Sequence, residues 1–105
     1  MARTDHINTI PAFTPIGDIS SETPTVATTL THPTNAVGGG QETMVALQAS
    51  GQGIWVTIDG TAPVVGTTGF EIFVGERVAV PVDRNTVVKI LESASAATVQ
   101  VQWGR

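Results

Sequence analysis

The stretch Ala97-Thr98-Val99-Gln100-Val101-Gln102-Trp103 (ATVQVQW) alternates apolar and polar side chains from Thr98 onward without a break. Successive side chains of a β-strand point to opposite faces. Val99, Val101 and Trp103 therefore share one face, and Gln100 and Gln102 the other. A helix would bring residues three and four apart together and mix these two classes. The stretch predicts a strand with one buried face.

The same period of two runs back through the chain as far as residue 44. It marks Met44–Ala49, then Ile54–Asp59 with Ile54, Val56 and Ile58 on one face. Phe70–Val74 groups Phe70, Ile72 and Val74, and Val78–Val82 groups Val78, Val80 and Val82. Thr86–Glu92 turns Val88 and Ile90 inward. The connections are Ser50–Gly53, Asp59–Gly69, Gly75-Glu76, Asp83–Asn85 and Glu92–Ala96, rich in residues that favour turns. Asp59-Gly60 in particular reads as a turn rather than a chemical site. Six strands at roughly ten-residue spacing, with no run suited to a long helix, predict an all-β fold. The expected architecture is an antiparallel β-sandwich or a jelly-roll-like barrel. Pro81 lacks the amide a ladder needs, so its strand is expected at an edge or a bulge.

Residues 1–40 differ in character. They hold nine of the threonines, four of the six prolines and no sustained period. Each X-Pro step disfavours helix at the residue before it. The chain is therefore divided into an extended Thr/Pro-rich N-terminal arm, 1–40, and a β-sandwich domain, 41–105. Such a composition also suits a disordered tail. Ile7, Ile10, Phe13, Ile16 and Ile19 are regularly spaced apolar anchors, and they favour an arm that becomes ordered on a neighbouring subunit. A short strand within Thr25–Thr31 fits the composition.

Trp55, Phe73, Val87 and Leu91 fall opposite the valine-bearing faces and are too apolar together for a wet surface. Either they form the second half of a sandwich core or lie under the arm, or they make an intermolecular contact. Trp55 and Phe73 are the sandwich candidates for such an interface.

Composition narrows the function. The net charge is −4, and Arg3, Arg77, Arg84, Lys89 and Arg105 are scattered. Nucleic-acid binding needs clustered cations, so no nucleic-acid partner is expected. No apolar run reaches the ~20 residues of a membrane span, and the N-terminus has no secretory pattern. With no cysteine, disulfides and thiolate sites are excluded. A chain of this size usually needs another staple, and oligomerisation or docking is what remains. His6 and His32 lie where few apolar residues could hold a metal shell. Serines 20, 21, 50, 93 and 95 have no histidine in the strand region to act as base. Asp59, Glu71, Glu76, Asp83 and Glu92 mostly occupy turns or outward positions, unlike the enclosed carboxylate pair of a glycosidase. No catalytic, metal or cofactor site is predicted.

One longer pattern adds to this reading. ALQASGQGIWVTIDGTAPVVGTTGFEIFVGE, followed by VVKILESASAATVQVQW, resembles a group of small structural proteins from the virions of tailed bacteriophages. The shared features are the ALQASG strand, an aromatic-containing strand ending in DGT.P, the TGF return and the GE turn. A closing hairpin of Val87–Leu91 with Ala97–Trp103 completes them. The resemblance covers about residues 46–103. It implies a head decoration (cement) protein on the virion surface, made in the host cytoplasm, with no enzymatic activity or cofactor. Its implied partners are the major capsid protein and further copies of itself in a homo-oligomer. A minor tail, neck or baseplate role is the alternative within that group. A carbohydrate-binding attachment module using Trp55 is the alternative outside it.

Overall fold

The alternating runs assemble into two antiparallel four-stranded sheets around one apolar core. The computed structural model of the chain describes residues 13–34 and 40–105. Its strands are β1 (Pro15–Glu22), β2 (Thr28–Thr29), β3 (Met44–Ser50), β4 (Ile54–Thr57), β5 (Phe70–Ile72), β6 (Arg77–Pro81), β7 (Lys89–Glu92) and β8 (Thr98–Gly104). No helix occurs among the described residues. One sheet has the order β1-β8-β3-β6 and the other β2-β7-β4-β5. The first strand thus pairs with the last, the second with the seventh, the third with the sixth and the fourth with the fifth.

Each of the six predicted runs contains a strand, and the predicted inward residues make the core. Val45, Leu47, Ile54, Val56, Ile72, Val88, Ile90 and Val99 are fully buried, and Val80, Val101 and Trp103 nearly so. Three expected inward residues are exposed. Ile58 and Val74 continue the alternation past the ends of β4 and β5, where the chain turns off the sheet, and Phe70 opens β5, an edge strand, beside an open hollow. Pro81 ends β6, an edge strand, as its missing amide requires.

The expected closing hairpin is not formed. β7 pairs with β2 and β4, whereas β8 pairs with β1 and β3. Glu92–Ala96 therefore carries the chain from one sheet to the other. Two runs with inward apolar faces can either pair side by side or face each other across a core, and alternation does not distinguish these. Among the described residues, β4 and β5 are the only consecutive strands that are neighbours in a sheet.

The division at residue 40 also needs correction for the residues described. Pro15–Glu22 is the edge strand β1, paired along β8, and Ile16 (2% exposed) and Leu30 (4%) belong to the core. Without β1, the outer edge of β8 would present a row of unpaired backbone groups. The extended character expected of the segment is present, but residues 15–34 lie on their own domain. Ile7 and Ile10 lie outside the described residues.

β1 carries an irregularity that explains why its period was hidden. Ile16 pairs with Trp103 and Ser20 with Val101, so Gly17, Asp18 and Ile19 all oppose Gln102. Gly17 has φ +74°, a conformation glycine adopts without steric cost. The Gln102 amide fills the bulge, donating to the carbonyls of Gly17 (3.1 Å) and Trp103 (3.1 Å), with that of Ile16 at 3.5 Å. Gln102 is only 9% exposed although it lies on the outer side of the sheet. Gln102→Leu keeps the bulk and removes the donor, and buried acceptors left bare cost about 1–3 kcal/mol. Urea unfolding should show that loss with an unchanged denaturant slope. A loss under about 0.5 kcal/mol would mean that water covers the bulge equally well.

Candidate interaction surface

The outer faces of the two sheets differ in chemistry. On the β1-β8-β3-β6 sheet, Gln48 stands opposite Gln100 and Arg77. Together with Ile19, Ala46 and Gln102 they line a small hollow of about 30 Å³. This face is polar, and Ile19 (61% exposed) is its one large apolar residue among those named. On the β2-β7-β4-β5 sheet, Trp55 stands opposite both Leu91 and Glu71, making a cross-strand row of half-buried side chains. Cross-strand neighbours on one face pack directly, so Trp55 and Leu91 form an apolar strip bordered by Glu71.

Two residues beyond Glu71, alternation places Phe73 on the same side. It opens a turn that is held at several points. The Phe73 amide donates to Glu76 Oε1 (3.0 Å), and the Glu76 amide donates to the Phe73 carbonyl (2.9 Å). The Gly75 amide donates to the Ala49 carbonyl (2.8 Å), which ties the turn to β3. This fixed turn presents Phe73 (62% exposed) and Val74 (58%) to solvent. Single exposed apolar residues are ordinary, but an apolar group held on a rigid turn beside an apolar strip has the character of a contact site.

The other end of the β4–β5 hairpin is also apolar. Ile58, Val64, Val65, Phe70 and Val87 are exposed there. An open hollow of about 240 Å³ lies among Val56, Ile58, Thr68 and Phe70. The connection between the strands is ordered internally. The Thr61 amide donates to Asp59 Oδ1 (3.0 Å), and Val64 and Thr68 form a small bridge. The Thr61 amide holds the exposed Asp59 carboxyl below its ordinary value. Asp59 is a turn residue with its carboxylate engaged by the backbone, and the same holds for Asp83, whose Oδ1 accepts from the Asn85 amide (2.8 Å).

Of the five predicted interface residues among those described, Trp55 and Phe73 lie at the β2-β7-β4-β5 sheet and the other three at the opposite sheet. Phe13 is half-buried and its ring packs on Gly104, with Thr14 and Arg105 exchanging backbone hydrogen bonds beside it. Ile16 is in the core and cannot act as an anchor on a neighbour. Ile19 lies on the opposite, polar sheet. The alternative that Trp55, Phe73, Val87 and Leu91 form the second half of a core is overturned, because the second sheet packs against the valine faces instead.

His32 also departs from expectation. It is held firmly, with its ring 4.3 Å from the Trp103 ring centroid. Nothing in its local sequence signals this, since its partners are Glu42, Thr86 and Trp103. Among the described residues, no group of three or more His, Asp or Glu is arranged to hold a metal ion, and no helix is long and apolar enough to cross a membrane. No known family model, no characterised protein and no solved structure matches the chain.

Proposed function

We propose that this protein is a virion structural protein of a tailed bacteriophage, a decoration (cement) protein bound to the outer surface of the head. In this reading it bridges neighbouring copies of the major capsid protein, and copies of the chain associate on the virion. The observation that carries the reading is the nested pairing of strands, first with last through fourth with fifth. One long antiparallel hairpin rolled into two sheets gives that pairing, so we read the sandwich as a jelly roll, an architecture that recurs in viral capsid and lectin domains. The resemblance of residues 46–103 to small virion proteins supports the same assignment.

The docking face is the β2-β7-β4-β5 sheet, with Trp55 and Leu91 in its strip and Phe73 and Val74 on its turn. Aromatic anchors dominate binding energy at interfaces, and truncating one such residue often costs 2 kcal/mol or more, roughly 30-fold in affinity. Heads lacking the protein should bind the full chain in many copies. Trp55→Ala combined with Phe73→Ser should reduce that binding about 30-fold or more, with folding intact by circular dichroism. Undiminished binding would remove this face from the reading. A single ring of copies at the neck or tail would move the protein there. Glycan binding in place of head binding would favour an attachment module.

A further inference from the structure

One end of the sandwich is closed by a polar cluster that the docking face does not involve. His32 follows β2, Glu42 precedes β3, Thr86 precedes β7 and Trp103 lies in β8. His32 Nδ1 is 2.5 Å from Glu42 Oε2, and His32 Nε2 is 2.6 Å from the Thr86 carbonyl oxygen. The imidazole lies against the Trp103 indole at 33° between planes. The Glu42 side chain is wholly buried and that of His32 is 22% exposed. Glu42 Oε1 is buried with no hydrogen-bond partner among the described residues.

The proton count follows from the partners. A carbonyl oxygen only accepts, so Nε2 carries a hydrogen. The 2.5 Å contact between Nδ1 and Oε2 then needs one further proton, on either atom, because two bare lone pairs repel at that distance. We propose that His32 and Glu42 share one buried proton, and that this proton makes the cluster a pH-set clamp joining the two sheets. With it, the pair is neutral overall and both ring nitrogens are satisfied. Loss of the proton leaves a buried carboxylate facing a bare nitrogen, and the ring can keep only one of its two bonds.

Among the described residues, the other charged groups around this end are few. Arg84 shares an open hollow with His32 and Glu42, and the neighbouring Asp83 carboxyl is held below its ordinary value chiefly by the Asn85 amide and the Thr86 hydroxyl. Arg105, at the end of β8, is engaged by Gln41. The acid side of the clamp has a definite sign. Burial alone would raise the Glu42 carboxyl, but the Glu42 amide, His32 and the Gly40 amide outweigh it and hold the group below its ordinary 4.5. Stability from ionised Glu42 is therefore complete above 4.5 and is lost as pH falls through the lower folded value. On the alkaline side the clamp opens when the bridging proton leaves.

Two amides report on closure. Leu30 N–H donates to the Val88 carbonyl (2.9 Å) and Thr43 N–H to the Gly104 carbonyl (2.9 Å), on either side of the cluster. Nitrogen-15 NMR of the full chain near neutral pH should show a proton on Nε2 and a strongly downfield proton in the Nδ1 bridge. Glu42→Gln supplies an amide donor to a bare Nδ1, so the bridge needs no extra proton. As pH rises, Leu30 and Thr43 should exchange about tenfold or more faster in the wild type than in Glu42→Gln at the same pH. A bare Nδ1 beside an ionised Glu42 in the wild type at neutral pH overturns the proposal, as does identical exchange in the two proteins. If Glu42→Gln fails to fold, the ring-nitrogen spectrum of the wild type decides alone.

Discussion

A chain that begins at residue 23 is expected to lose its cooperative melting transition. The truncation removes β1, and with it the ladder that pairs Ile16 with Trp103, Ser20 with Val101 and Glu22 with Val99. It removes Ile16, which is 2% exposed in the core. Deleting a buried isoleucine side chain alone costs about 2–5 kcal/mol, against a total stability of about 5–15 kcal/mol for a domain. The truncation adds an open edge on β8 and leaves the Gln102 amide without its bulge carbonyls. Thermal melts by circular dichroism measure the outcome. Starting instead at residue 13 removes none of the contacts described above and is the matched control. A melt of the 23–105 chain within a few degrees of that control would show that β1 only lies on the sandwich. The comparison also governs any test of an N-terminal arm in head binding, because a deletion reaching residue 38 would confound lost contacts with lost folding.

How far the fold was legible depended on whether a strand kept its period. β8 keeps its alternation from Thr98 to Trp103, and its buried face was readable residue by residue. β1 does not, because three residues oppose one at its bulge. That insertion turns a spacing of two into the spacing of three between Ile16 and Ile19, which resembles a row of anchors on an arm. Pairing was less legible than the strands themselves, since Val99 and Ile90 carry the same inward signal from opposite sheets. For the surface, the sequence placed Trp55 and Phe73 outward correctly, but whether anything covered them depended on which face the second sheet chose. His32 and Glu42 were invisible as a pair, being ten residues apart with a third partner at Thr86 and no local pattern joining them. Asp59 was the reverse case, since an Asp-Gly step between strands states its own local hydrogen bonding.

Gly69→Ala is expected to be among the most damaging single substitutions in the β4–β5 hairpin. Gly69 has φ +106° and precedes Phe70, which pairs with Val56. A Cβ at Gly69 would lie 2.5 Å from the Val56 carbonyl oxygen and 3.1 Å from Thr57 Cγ2. The first of these is backbone within the sheet and cannot move aside as a flexible side chain would. The left-handed backbone costs an L-residue about 1–2 kcal/mol, and overpacking a closed contact about 1–3 kcal/mol more. Their sum, about 2–5 kcal/mol, is a large share of the stability of a small domain. Gly66 in the same connection separates the two terms. It also has a positive φ, +77°, but an added Cβ would meet nothing within 4 Å. Gly66→Ala should therefore show the backbone cost alone, and urea unfolding of the two variants should differ by the overlap. Equal losses would mean that the Val56 carbonyl yields, and that backbone conformation by itself requires glycine at residue 69.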